Sequence, residues 1–292
     1  MTKSPLPPSR TPAHDHFTSF PMSGPSFHLR LPPASLFTFP PANDPPTLPP
    51  PPNGHTFASP FTINAKLYND ALSVWVPIGV SVGYFVMVTV WNAINARRQF
   101  KPYAFSKTTI FKVLVILHNI FLALFSALTF VAMMRALRHT WPGRLERIDY
   151  VLGIPWPAFR TQYGLASAAD ALCKVHGPRG LGNAASYDAS TGTWDIKNKS
   201  FKLAEAGTPD PTDLGRLWNE GLAFWGWWFY LSKFYEVFDT IIILLKGKRS
   251  STLQTYHHAG AMWCMWAGIR YMSSPIWMFA WINSAIHALM VS

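Results

Sequence analysis

Apolar positions in this chain come in long blocks, with no amphipathic alternation. Blocks run at roughly Val74–Ile94, Ile110–Met134, Leu222–Leu245, Leu253–Ile269, and from Pro275 to the end of the chain at Ser292. Blocks near 20 residues with few charges predict transmembrane helices. Before them, residues 1 to about 65 hold most of the 26 prolines, including the run Pro49–Pro52. Such a stretch cannot enter a helix or a central strand and predicts a disordered tail of polyproline character. It has no uninterrupted apolar region of the signal-peptide kind. Between the second and third blocks a polar connection, about Arg135–Glu220, carries Gly and Pro punctuation and the sequon Asn198-Lys199-Ser200. The fold class predicted is all-α: a polytopic helical bundle over residues 66–292 behind a proline-rich tail over residues 1–65.

Composition strengthens this picture. The 292 residues are 49% hydrophobic and 15% aromatic but only 13% charged, where a soluble domain would carry about 25%. The net charge is +11, and many of its cations flank the apolar blocks. That argues for a membrane surface or an anionic substrate rather than nucleic acid. Two cysteines, Cys173 and Cys264, support no disulfide framework. Arg97, Arg98 and Lys101 follow the first span, and Lys246, Lys248 and Arg249 follow the third. The positive-inside rule puts both clusters in the cytosol. Arg135, Arg138, Arg144 and Arg147 beyond the second span vote the other way, but the rule weakens in a connection longer than about 60 residues, so the long connection is expected in the lumen. The aromatic start of the third span (Trp225, Trp227, Trp228, Tyr230) suits an interfacial belt.

Ionisable residues inside the spans are the candidate chemistry, because they are costly at membrane depth. At 1.5 Å rise per residue, His118 and Asp239 lie roughly 10 Å from the cytosolic face, Glu236 roughly 15 Å, His257 and His258 roughly 8 Å, and His287 roughly 10 Å. Four helices thus bring ionisable groups to one layer. Lys233 and Glu236 are spaced to pair with each other. Asp239 needs a partner from another helix, and a histidine suits it. Thr240 is expected to satisfy its own helix backbone. His257 and His258 point about 100° apart, so only one of them can be central. Two chemistries fit: a histidine-box di-iron centre, for which the spans hold few histidines, and nucleophilic or acid–base chemistry on an acyl group.

The motifs then carry a resemblance. Leu117-His118-Asn119, Lys233-x-x-Glu236-x-x-Asp239-Thr240, Gln254-Thr-Tyr-His257-His258 and Asn283-x-x-x-His287-x-x-Met290 occur in order. They resemble the LHN, KxxExxDT, HxxHH and NxxxHxxM elements of the ELO family of very-long-chain fatty acid elongases. The Leu253–Gly260 run looks most like fungal members. The resemblance implies a 3-oxoacyl-CoA synthase of the endoplasmic reticulum membrane, which condenses an acyl-CoA with malonyl-CoA. It implies His257 as acyl acceptor with His287 beside it, and catalytic roles for His258, Asp239, Glu236 and Lys233. Contacts to substrate are expected from His118, Asn119, Gln254, Asn283, Thr240, Lys246, Lys248 and Arg249. No cofactor or metal is implied. Membrane lipid, the other enzymes of the elongation cycle and a homodimer are the expected partners, and nucleic acid is not among them.

Two residues depart from the pattern. Gln254 stands where the box has its first histidine; it hydrogen-bonds but cannot titrate. Val291 stands where a tyrosine is usual. The family barrel has seven helices and the chain shows five spans, so the expectation is an incomplete gene model. The alternative is a catalytically inactive remnant, and a less favoured one is a di-iron desaturase or hydroxylase.

Overall fold

The computed structural model describes residues 55–141 and 165–290, apart from 179, 189–190, 197, 199–200, 211–212 and 214. The proline runs and residues 199–200 of the sequon lie outside the described residues. In chain order the elements are α1 (Ala65–Ala71), α2 (Trp75–Arg97), α3 (Thr109–Thr140), α4 (Leu165–Cys173), β1 (Ala185–Asp188), β2 (Thr193–Ile196), α5 (Ala223–Tyr235), α6 (Val237–Leu245), α7 (Thr252–Arg270) and α8 (Ile276–Leu289). The strands form one antiparallel hairpin, with Ala185 opposite Ile196. The fold is an all-α polytopic membrane bundle.

Among the described residues, two helices, α2 and α3, are long and apolar enough to cross a membrane. Their apolar side chains point mostly outward: Phe85, Val86, Val90, Ile116, Leu117 and Leu124 are all exposed. An exposed apolar face of this extent suits lipid as its solvent rather than water. The third predicted span is realised as two helices, α5 and α6, with a tight turn at Glu236, where the Asp239 amide donates to the Glu236 carbonyl. Local sequence sets the helix starts. Thr108 caps α3 by accepting from the Phe111 amide, and Ser251 caps α7 by accepting from the Gln254 amide.

Helix α3 packs along α8, α5 packs against α7, and α2 lies against α6 and α7. The core is aromatic and centres on α5, with Trp218, Phe224, Trp227, Phe229 and Tyr230 buried beside Met133, Trp266 and Ile269. The aromatic run expected in an interfacial belt is therefore largely internal. The reason is hydrogen bonding. Trp225 Nε1 donates to the Phe57 carbonyl (2.7 Å), Trp227 Nε1 to that of Tyr68 (3.2 Å) and Tyr230 Oη to that of Ala71 (2.9 Å). Each ring buries its body and places its polar tip on a backbone acceptor. These bonds hold residues 57–71 on α5. Residues 55–65, read from sequence as the end of the tail, thus contribute packed positions such as Ser59 and Ile63.

The connection after α3 is organised around one side chain. Arg216 is fully buried, pairs with Asp170 at 2.7 Å, and donates to the carbonyls of Asp170, Gly177, Pro178 and Gly180. His139 and Glu220 join the carboxyl end of α3 to the helical turn just before α5 at 3.2 Å. At the other end of the bundle the two basic loops meet. The Tyr103 amide donates to the Leu245 carbonyl, and Asn95 Nδ2 donates to the carbonyls of Leu244 and Lys248. Gly247, at φ +73°, passes so close to Phe100 and Lys101 that a Cβ would lie 2.5 Å from the Phe100 carbonyl oxygen.

Candidate active site

Helices α3, α5, α6, α7 and α8 bring most of the predicted polar residues together. His118 on α3 is buried, and both its ring nitrogens are engaged. Nε2 lies 2.7 Å from Asp239 Oδ1, and Nδ1 lies 3.1 Å from Tyr235 Oη. With Asp239 ionised, the consistent neutral tautomer carries its proton on Nε2 and accepts from Tyr235. Asp239 thus has the interhelical histidine that its position requires. Tyr235 sits inside the Lys233–Glu236 stretch, yet nothing in the spacing singled it out.

Lys233 and Glu236 form the expected pair, Nζ to Oε1 at 2.6 Å, and both are buried. Lys233 also donates to Asn283 Oδ1 on α8 at 2.6 Å, and its ammonium stands 4.0 Å from the Phe229 ring centroid. Asn283, expected at the substrate, has its side-chain oxygen on the lysine. The second Glu236 oxygen faces His258 Nδ1 at 3.7 Å, too long for a hydrogen bond. Both atoms are buried and have no hydrogen-bond partner among the described residues.

His257 and His258 divide as the helix geometry requires. His258 is buried against Glu236 and the edge of Tyr84, whereas His257 is exposed, their ring centroids 5.6 Å apart. His287 on α8 is half-buried, within electrostatic reach of Glu236, Lys233, Asp239 and His257.

Thr240 does not turn back to its own helix, as expected, but shares a hydrogen bond with Tyr84 Oη on α2 (2.9 Å). Gln254 Nε2 approaches the same hydroxyl at 3.5 Å. Tyr84 lies in the first span, outside every motif; a lone tyrosine in an apolar helix was the available signal. Four residues stand apart. Asn119 is exposed, next to the buried His118, and Lys246, Lys248 and Arg249 are exposed in the loop between α6 and α7. Among the described residues, no three His, Cys, Asp or Glu side chains group as metal ligands. Both cysteines are free and exposed.

Comparison with known proteins decides the family. The model of the ELO family, described as GNS1/SUR4, matches residues 71–292. The chain belongs to the ELO family. Individual ELO relatives match over shorter stretches. Fatty acid elongase 2 of Trypanosoma brucei brucei is 35% identical over 78 residues, 27% of this chain and 29% of the relative. Very long chain fatty acid elongase 7 of Rattus norvegicus is 37% identical over 67 residues, 22% and 24% of the two chains. Very long chain fatty acid elongase 4 of Homo sapiens is 36% identical over 69 residues, 23% and 22%. The chain thus spans less than a third of the length of each of these relatives. No solved structure matches the chain.

Proposed function

We propose that this ELO-family chain is a 3-oxoacyl-CoA synthase that lengthens a long-chain acyl-CoA with malonyl-CoA. The observation that carries the reading is the asymmetry of the histidine pair: His257 is accessible while His258 is buried beside a carboxylate. A nucleophile must meet its substrate, and its neighbour must be held. In the proposed sequence a His257 ring nitrogen attacks the acyl thioester. The C–S bond breaks, CoA leaves as its thiol, and an acyl-imidazole forms. Malonyl-CoA then loses CO2, and the electron pair released at its C2 attacks the acyl carbonyl. A C–C bond forms, the acyl C–N bond breaks, and the departing imidazole nitrogen takes up a proton from solvent by way of His287, which regenerates the histidine. His287 serves as acid–base partner beside His257. The Lys233–Glu236 pair orients His258 and α8, while Asp239 with His118, and Thr240 with Gln254, fix the facing wall. Lys246 and Lys248 attract CoA phosphates electrostatically.

Multi-pass residence in the endoplasmic reticulum membrane goes with this function, as do reductase and dehydratase partners of the elongation cycle. The reaction uses no cofactor beyond its two CoA substrates. Membranes from cells expressing the chain, given malonyl-CoA and labelled acyl-CoA, test it. The expected result is a 3-oxoacyl product longer by two carbons, lost in His257→Ala, with an acyl adduct trapped on the peptide holding His257. Undiminished product from His257→Ala would remove the proposed intermediate. Absence of product from the unaltered chain would instead favour the inactive reading.

A further inference from the structure

A cavity of about 620 Å³ lies between α2 and the amino-terminal half of α7. Its walls are apolar, formed by Phe85, Val88, Ala93 and Ala96 on one side and Tyr256 and Ala259 on the other. The alanines leave the space that larger side chains would fill. One end is polar and carries Arg249, Ser250 and Thr252. Phe100 lines that same end, next to a basic hollow formed by Arg97, Arg98 and Lys101. Neither adjoining loop, 97–108 or 246–251, contains a carboxylate.

Ser250 makes this end more than a charged surface. Its backbone is fully engaged, since its amide donates to Asn92 Oδ1 (3.0 Å) and its carbonyl accepts from Asn92 Nδ2 (3.1 Å). The residue is 2% exposed, and its hydroxyl has no partner among the described residues. A buried unpartnered hydroxyl carries a desolvation cost that a ligand oxygen would relieve. Two residues on, α7 begins, and the amino terminus of a helix attracts anions through its free N–H groups.

The cavity is separate from the acyl site. Thr252, Thr255, Tyr256 and Ala259 share one face of α7, and His257 lies roughly 150° around the helix from it. A thioester held here could not reach that histidine. The walls belong to a helix exposed to lipid, and the mouth sits among cations. That combination fits an amphiphile with an apolar tail and an anionic head.

We propose that the groove between α2 and α7 binds an anionic membrane phospholipid, its acyl chain against the apolar walls and its phosphate on Arg249, the Ser250 hydroxyl and the first N–H groups of α7. Arg249, expected from sequence at CoA, serves this groove instead. The proposal rests on the chain's membrane character and is independent of the condensing reaction.

Native mass spectrometry of the full chain in neutral micelles, with phosphatidylserine and phosphatidylcholine at equal concentration, tests it. Phosphatidylserine is expected to be retained about tenfold over phosphatidylcholine. Arg249→Gln is expected to cut that retention about fivefold, and Lys107→Gln, in the neighbouring loop but outside the cavity, to leave it within about twofold. Ala93→Phe should block the groove. Ser250→Ala should unfold no earlier than the unaltered chain without lipid, because it removes an unpartnered hydroxyl, but should lose part of the lipid-induced rise in Tm. Equal retention of phosphatidylcholine, or equal losses in Arg249→Gln and Lys107→Gln, would overturn the site. So would displacement by inorganic phosphate at the lipid's own concentration.

Discussion

His118 on α3 and Asp239 on α6 meet at 2.7 Å and join two helices that are 97 positions apart at their nearest ends in the chain, Thr140 and Val237. Tyr235 holds the other ring nitrogen, so both ring nitrogens are engaged and the imidazole is fixed in orientation. Asp239→Asn keeps an acceptor but loses the charge that favours the Nε2–H tautomer. Condensation is expected to fall about 10²-fold or more, with Tyr235→Phe losing far less. Initial rates on labelled acyl-CoA check this ordering, and a Tyr235→Phe loss equal to that of Asp239→Asn would contradict it.

The buried Lys233–Glu236 pair is expected to matter more for folding when broken than when removed. Lys233→Met leaves an unpaired carboxylate at the turn between α5 and α6, and frees Asn283 from its donor. The expected loss is about 3–5 kcal/mol. Lys233→Met combined with Glu236→Leu should recover much of that stability while remaining inactive. Unfolding in detergent, followed by circular dichroism, gives the comparison; additive losses in the double variant would refute it.

Tyr84 links the first span to the site through Thr240 and through its edge contact with His258. Tyr84→Phe retains the ring and removes the hydroxyl. A stability loss of about 1 kcal/mol is expected, together with a several-fold fall in kcat and little change in KM. A change confined to KM would show that Tyr84 acts on substrate binding instead.

Two groups in the connection between α3 and α5 give stability opposite pH slopes. Burial lowers His176 from its ordinary 6.5 to about 4. The unfolded chain therefore binds the extra proton first, and stability falls as pH drops from 6.5 towards 4. Burial raises Asp213 from 3.8 to about 6. There the folded chain binds the extra proton, and stability falls as pH rises from 3.8 through 6. The two contributions offset between about pH 4 and 6. Asp213→Asn should therefore lose stability on acidification through this window, and His176→Phe should gain it. Tm measured at half-unit steps of pH reads both slopes; parallel profiles in the two variants would exclude this origin.

Much of this was legible in the chain. Blocks of apolar residues gave the helices, because a membrane span needs length and hydrophobicity and little else. The i,i+3 spacing gave the Lys233–Glu236 pair, because helix geometry alone makes it. The ordered motifs gave the family and most of the residues that converge. What was missed depends on long-range contact. The aromatic start of α5 could be read as a lipid-facing belt until its indoles were seen bonded to residues 57–71. Arg216 gave no local sign of the four carbonyls it gathers.

The sequence by itself determined which residues could not be left alone in an apolar span: Asp239, Lys233, Glu236 and the histidines each required a partner. Tertiary structure decided which partner each one has. It put His118 rather than His257 on Asp239, turned His258 inward and His257 outward, and sent Thr240 across to Tyr84 on the first span. Periodicity fixes a residue's face on its own helix, whereas a hydrogen bond between helices depends on how those helices cross and rotate, which only packing of the whole chain sets.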